Sequence, residues 1–440
     1  MCFKVKVCVT GSTPERADRP RQEKKLKSIL FVINTMGMGG AENALLNLFQ
    51  YMDLNTYRVS LYVLTGQGEL FDQIPKEVTV LNKRFFPVSV YSGPGRIRLL
   101  KTVLKAMFNR LTLLKSTGYI LKNLSAMLKE GRVQKEKLLW KILADGGQMP
   151  EQEYDLAVAY LEGGAAYYTA SHVKAKKKAA FIHINYGEAG YSRMLDEDCY
   201  LHFDHIFTVS ENVKEKFVQV YPECIQKTAV FYNLIDVEKI ICRSTEGGGF
   251  TDNYEGIRIL TVGRLVPQKA LDTAIDTMRI LKGTGKAFRW YVLGDGELRK
   301  SLEERIRSYE LCGDFFLLGT VDNPYPFYKQ CDLYVHTARY EGKSIAVEEA
   351  QVLGCAIIAA EYAGVEEQIE NGVDGIVCKS DAEELAKEIQ YLANDPQKRG
   401  LLGQAAEKKL QVDNLKEVSK IVELCGEGNK CKSGGDESVF

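Results

Sequence analysis

The sequence carries no net charge, no long apolar run and no patterned cysteines. Its 58 Lys and Arg balance 58 Asp and Glu, so no global attraction to nucleic acid is implied. No apolar run reaches the roughly 20 residues that a membrane-spanning helix needs, and MCFKVKVCVT lacks the apolar core of a signal peptide. The eleven cysteines form no C-x-x-C pair and no zinc-ligand spacing, which reads as reduced thiols in a cytosolic compartment. Walker loops, G-x-S-x-G elbows and nucleophilic-cysteine motifs are also missing. The expectation is a cytoplasmic globular protein that does not bind nucleic acid.

A chain of 440 residues is too long for one comfortable core, and two domains are expected. Residues 1–27 read as a flexible leader, since 11–27 are polar and contain proline. Apolar, β-branched runs follow at 28–34, 57–65, 154–163, 179–184, 205–210 and 228–233, with helical patterns between several of them. A glycine-rich, apolar-poor stretch then suggests a linker at 246–256. The rhythm restarts with runs at 257–263, 288–294, 314–319, 332–337, 354–361 and 374–378. This alternation predicts an α/β fold of two tandem Rossmann-like domains, at 28–245 and 257–410, with a cleft between them. Residues 411–440 read as a C-terminal helix and a disordered tail.

A basic helical insertion at about 94–144 breaks this rhythm. Positions 96–141 hold 12 Lys and Arg against Glu130 and Glu136 alone, interleaved with leucines at helical spacing. Such a segment suits an anionic membrane surface, which makes the protein peripheral on the inner face of the cell membrane. The plainer reading packs the leucines inward and leaves the lysines in solvent.

Ligands of open α/β sheets sit at the carboxyl ends of strands, and several candidate residues lie there. Arg264 and Lys269, in GRLVPQK, stand just past one strand end and suit a diphosphate. GMGG, with Gly39 and Gly40, is a strand–loop–helix corner that fails the dinucleotide fingerprint, because Glu42 stands where the third glycine belongs. Gly294 lies in a second strand-end turn, LGDGE, and His183 ends the run AAFIHI. His205 and His336 lie within apolar runs and read as core or strand-edge residues. A helix beginning after Ser344 would put Ile345, Ala346, Glu349, Ala350 and Leu353 on one buried stripe, with Glu348 facing solvent. A carboxylate so placed needs a partner in the protein or a ligand. Glu341 and Glu349 are too far apart along the chain for a glycosidase pair. Asp196 and Asp198 match a D-x-D metal pattern but fall in the first half, far from the cationic strand end.

Together G-R-L-x-x-x-K at 263–269, G-D-G-E at 294–297, E-x7-E from Glu341 to Glu349 and AGVEEQIENGVDGIV at 363–377 resemble the C-terminal domain of retaining GT-B glycosyltransferases of family 4. In the first half GGAENALLNL, His183 and TVSENVKEKF extend the resemblance, which spans about 28–410. It implies a donor cleft in which Arg264 and Lys269 hold the diphosphate and Glu349 accepts hydrogen bonds from ribose. Glu341 would face the donor sugar, with the backbone of Gly342, Lys343 and Ser344 nearby. Gly39, Gly40 and Gly294 would approach donor or acceptor, and His183 would sit near the reacting centre. No cofactor and no metal are implied. Ala270 departs from the usual glycine after the lysine, and Ala338 from a usual serine. EGKSIA resembles the subgroup acting in bacterial surface-polysaccharide assembly, with nucleoside-diphosphate sugars (UDP by family habit) as donors and glycan or lipid-linked acceptors. The rival readings are a nucleotide-sugar epimerase of the same fold, a non-catalytic nucleotide-sugar-binding protein and, weakest, a dinucleotide oxidoreductase.

Overall fold

The computed structural model describes residues 26–109, 112, 116–130, 135–187, 193–409 and 413–426. The expected leader lies outside them except for its last two residues, and so do positions 427–440 of the expected tail.

Two wholly parallel sheets form the frame. The first has the order β3-β2-β1-β4-β5-β6-β7, built from β1 (Lys27–Ile33), β2 (Tyr57–Val63), β3 (Thr79–Val80), β4 (Tyr154–Ala159), β5 (Ala175–Ile182), β6 (His205–Thr208) and β7 (Thr228–Val230). The second has the order β10-β9-β8-β11-β12-β13, from β8 (Ile257–Val262), β9 (Phe288–Leu293), β10 (Phe315–Gly319), β11 (Leu333–His336), β12 (Ile357–Ala360) and β13 (Ile376–Cys378). Every apolar run read as a strand overlaps one, although β5 begins four residues before its run at 179–184. The two-residue β3 is too short to leave a pattern.

Central strands such as β1 and β12 are buried along nearly their whole length, as expected for sheets covered on both faces. Both sheets reverse their order beside the first strand, between β1 and β4 and between β8 and β11. Connections leave in opposite directions there, and a crevice opens at the carboxyl ends.

The chain crosses between the sheets at positions the composition does not mark. The helix Val237–Ser244, expected in the first domain, packs into the second: Ile235 and Ile240 share a core with Leu260, Tyr291 and Tyr334. The crossover therefore precedes the glycine-rich stretch, because the apolar face of this helix is buried against the second sheet. The helix Asn414–Leu424 crosses back, and Val418, Ile421 and Leu424 join the core of β1 and β2.

The basic insertion forms the helices Gly93–Phe108, Thr117–Glu130 and Lys135–Gly146. Not all its cations face outward. Lys137 is buried against Asp196 at 2.8 Å, Lys122 pairs with Glu197, and Lys141 with Asp145 and Glu197. No helix among the described residues is long and apolar enough to cross a membrane.

Candidate active site

The loops after β8 and β11 meet at the switch point of the second sheet. Thr337 Oγ1 donates to the Lys269 carbonyl at 2.7 Å, and the Arg339 amide to the Gln268 carbonyl at 2.9 Å. This lacing brings Lys269 and Glu341 into a direct ion pair with both side chains largely buried. Gln268 Nε2 donates to Glu341 Oε2 at 3.2 Å, and His336 Nε2 lies 3.3 Å from Oε1. Burial pushes the Glu341 carboxyl up, but the Lys269 charge and the bonds from His336 and Lys269 outweigh it and hold it at about 2. Glu341 is therefore a fixed anion. Ala270, where the resemblance implies glycine, adopts a left-handed conformation at φ 49°.

Arg264 leaves β8 on the same side and is exposed to the cleft. Its guanidinium lies beside Tyr91 and Glu42, both of the first domain. Gly294 holds this strand end close: it sits at φ 141°, and a β-carbon there would lie 2.0 Å from the Gly263 carbonyl oxygen. Only glycine permits that approach.

The opposite wall comes from the loops after β1, β4 and β5. Gly39 caps the helix Gly40–Tyr51, and Gly40 faces the Ile345 side chain across the cleft. The Glu42 carboxylate folds back over Gly39, so a carboxylate already covers this helix N-terminus. Burial raises Glu42 to about 7, opposed by Arg264. His183 stacks on Phe181 and lies beside Tyr160, while its amide donates to Glu162 Oε2 at 3.1 Å. Burial lowers the imidazole to about 4, so the ring is neutral at pH 7.

The two walls touch at Gly342. A β-carbon there would fall 2.0 Å from the His183 carbonyl oxygen, and Ser210 Oγ donates to the Gly342 carbonyl at 3.1 Å.

Glu349 finds its partners within the second domain. Tyr325 donates to Oε1 at 3.3 Å and Tyr328 to Oε2 at 3.1 Å, and burial raises the carboxyl to about 7. Glu348, expected in solvent, is instead fully buried and paired with Lys343 at 2.9 Å. The helix Ile345–Val352 is packed between β12 and the helices Val237–Ser244 and Pro396–Lys409, so Val347, Glu348, Ala350, Gln351 and Val352 are all buried and no single stripe exists. Lys343 is thereby turned from the Lys269–Glu341 pair toward Glu348 and the Tyr232 ring. The Ser344 amide is engaged by Gln368 Oε1 at 2.8 Å, so that amide is not free to meet a sugar.

The D-x-D carboxylates have cationic partners: Asp196 is buried with Lys137, and Asp198 pairs with Arg193. Among the described residues no group of three acidic, histidine or cysteine side chains is arranged to hold a metal ion.

The sequence singles out neither Gln268, Glu162 nor the tyrosine pair, marks Glu42 only as the residue that breaks the dinucleotide fingerprint, and shows His336 as core or strand edge. His336 is indeed core, yet its edge meets Glu341. The i, i+3 spacing of Tyr325 and Tyr328 was the available signal for two hydroxyls on one helix face.

Residues 251–409 match the family described as glycosyl transferases group 1. These residues are thus similar to a group 1 glycosyltransferase domain. The chain is 30% identical over 142 residues to the amylovoran biosynthesis glycosyltransferase AmsK of Erwinia amylovora, covering 30% of this chain and 35% of AmsK. It is 28% identical over 181 residues to a Campylobacter jejuni N-acetylgalactosaminyltransferase whose name specifies a diphospho-undecaprenol acceptor, covering 41% of this chain and 48% of that enzyme. These matches thus span between a third and a half of those relatives. In three dimensions the likeness is longer: Anabaena HepE in complex with UDP superposes with a TM-score of 0.60 at 18% identity, over 90% of this chain and 98% of HepE. The matched residues therefore sit within a fold of the GT-B kind.

Proposed function

We propose that the protein is a retaining glycosyltransferase. It moves a hexose-type sugar from a UDP-sugar to a glycan or lipid-linked acceptor in surface-polysaccharide assembly. The observation that carries this reading is the convergence of Arg264, Lys269 and Glu341 where the loops after β8 and β11 meet, with Glu349 on the helix that follows. Two cations stabilise the charge that develops on a departing diphosphate. Glu341, ionised at any working pH, accepts hydrogen bonds from sugar hydroxyls, and Glu349 accepts them from ribose. The neutral His183 stands by the anomeric centre as a hydrogen-bonding group. The bond between C1 and the phosphate oxygen breaks as the acceptor oxygen bonds C1 on the same face, and the acceptor proton passes to the departing phosphate.

AmsK and the Campylobacter enzyme support the polysaccharide and lipid-linked classes by their names, and HepE structures with UDP and UDP-glucose support the donor class. Because the cations come from the protein, turnover is expected to need no metal. The test is incubation with UDP-glucose, UDP-galactose and UDP-N-acetylglucosamine, with and without EDTA, followed by NMR. Slow release of UDP and an α-configured sugar, insensitive to EDTA, is expected. An epimeric nucleotide sugar, or no turnover and no bound nucleotide, overturns the reading.

A further inference from the structure

The helix Gly93–Phe108 has two faces with different fates. Leu99, Val103, Ala106 and Met107 pack with Leu138, Leu139, Ile142 and Leu143 of the neighbouring insertion helix, which satisfies its fold. On the other side Ile97, Leu100, Leu104 and Phe108 are 59%, 59%, 44% and 77% exposed. Their spacing of three, four and four residues places them within about 80° of one another at 100° per residue, a continuous apolar stripe. Exposed Lys101 and Lys105 border one edge of the stripe, Arg96 lies on the other side, and the helix holds no acidic residue. In a chain of zero net charge this concentration is local.

We infer that this helix lies in the surface of an anionic lipid bilayer. An amphipathic helix with an apolar stripe and basic flanks binds by burying the stripe at the headgroup boundary while its cations meet anionic lipids. Charge complementarity selects this occupant over an apolar protein face, which would leave the bordering lysines desolvated and unpaired. Elsewhere in the basic segment Lys122, Lys137 and Lys141 are already paired with carboxylates, whereas Lys101 and Lys105 have no such partner among the ion pairs of the described residues. The helix begins at the cleft: Gln67 Nε2 donates to the Gly95 carbonyl at 3.1 Å, and Tyr91, just before the helix, lies beside Arg264. Docking therefore holds the cleft mouth beside the bilayer, where a lipid-linked acceptor is presented; that consequence rests on the transferase reading, but the docking itself does not.

The test is co-sedimentation of the full chain with vesicles of phosphatidylglycerol and phosphatidylcholine, against phosphatidylcholine alone. Binding to the anionic vesicles only is expected. Leu100→Glu with Leu104→Glu should lower it at least about tenfold by placing charge in the stripe. Lys101→Gln with Lys105→Gln should lower it roughly thirtyfold, at about 1 kcal/mol per cation. Both double variants should keep the wild-type melting temperature and UDP affinity, so failure of docking is distinguishable from failure of the donor site. Wild-type protein that ignores anionic vesicles, a stripe variant that binds them undiminished, or a dimer that the stripe variant dissociates would each overturn the inference.

Discussion

The Tyr328 hydroxyl donates to Oε2 of Glu349 over 3.1 Å, while Tyr325 donates to the other oxygen over 3.3 Å. Two neutral donors do not offset burial, and the carboxyl stands at about 7. If ribose requires the ionised form, UDP affinity should fall about tenfold between pH 8 and pH 6, as the ionised fraction falls from about nine-tenths to one-tenth. Calorimetric titration of wild type and Glu349→Gln would check this. The variant should bind at least about tenfold more weakly at pH 8, a loss of roughly 1.4 kcal/mol. It should also lose the wild-type share of the pH dependence, and an unchanged slope would refute the ribose role.

Glu42 is also raised to about 7 by burial, above its ordinary 4.5. A carboxyl with a raised folded pKa leaves the folded state undisturbed below 4.5. It costs stability increasingly as pH rises to 7, since only the folded form resists ionisation. Glu42→Gln should therefore melt roughly 2 °C or more above wild type at pH 8 and level with it at pH 4.5. Differential scanning calorimetry at the two pH values decides it.

The Lys269–Glu341 pair has the opposite sign. Its carboxyl is depressed to about 2, so its contribution is present above pH 4.5 and lost as pH falls toward 2. Lys269→Met leaves a buried anion and should cost roughly 3–5 kcal/mol, most of it recovered when Glu341→Gln is added. Urea unfolding followed through buried Trp290, in a Trp140→Phe background, reports on this domain. A single variant costing under about 1 kcal/mol would contradict the buried pair.

Gly342 has no space for a side chain, because its β-carbon would collide with backbone of the other domain. Gly342→Ala should cost about 1–3 kcal/mol and prise the walls apart. Turnover of UDP-sugar should fall well beyond any loss of fold, measured by kinetics and circular dichroism on the same sample.

Lys343 pairs with Glu348, away from the Lys269–Glu341 cluster. Lys343→Gln should therefore destabilise the protein by leaving Glu348 buried without a cation, and Glu348→Gln should restore it. UDP affinity should stay within about twofold throughout, a change of roughly 0.4 kcal/mol. A tenfold loss of affinity in the stable double variant would return Lys343 to the donor site.

Local patterning, by itself, determined the architecture. Strands buried on both faces must be apolar along their length, so their runs are visible without a partner. Loop motifs at their carboxyl ends marked Arg264, Lys269, His183 and Glu341 for the same reason: the ends of parallel strands are where a sheet opens. Side-chain direction was decided only in three dimensions. Periodicity assumes one buried face, and the helix Ile345–Val352, enclosed on several sides, has none; Glu349 met the partners its place required, while Glu348, expected in solvent, was buried with Lys343. Lys137 looked like part of a solvated basic run until Asp196, 59 positions away, was folded against it. The same holds for Val237–Ser244 and Asn414–Leu424, whose apolar faces state that they are buried but not in which domain. An amphipathic pattern encodes the need for a partner; only the packed chain supplies which one.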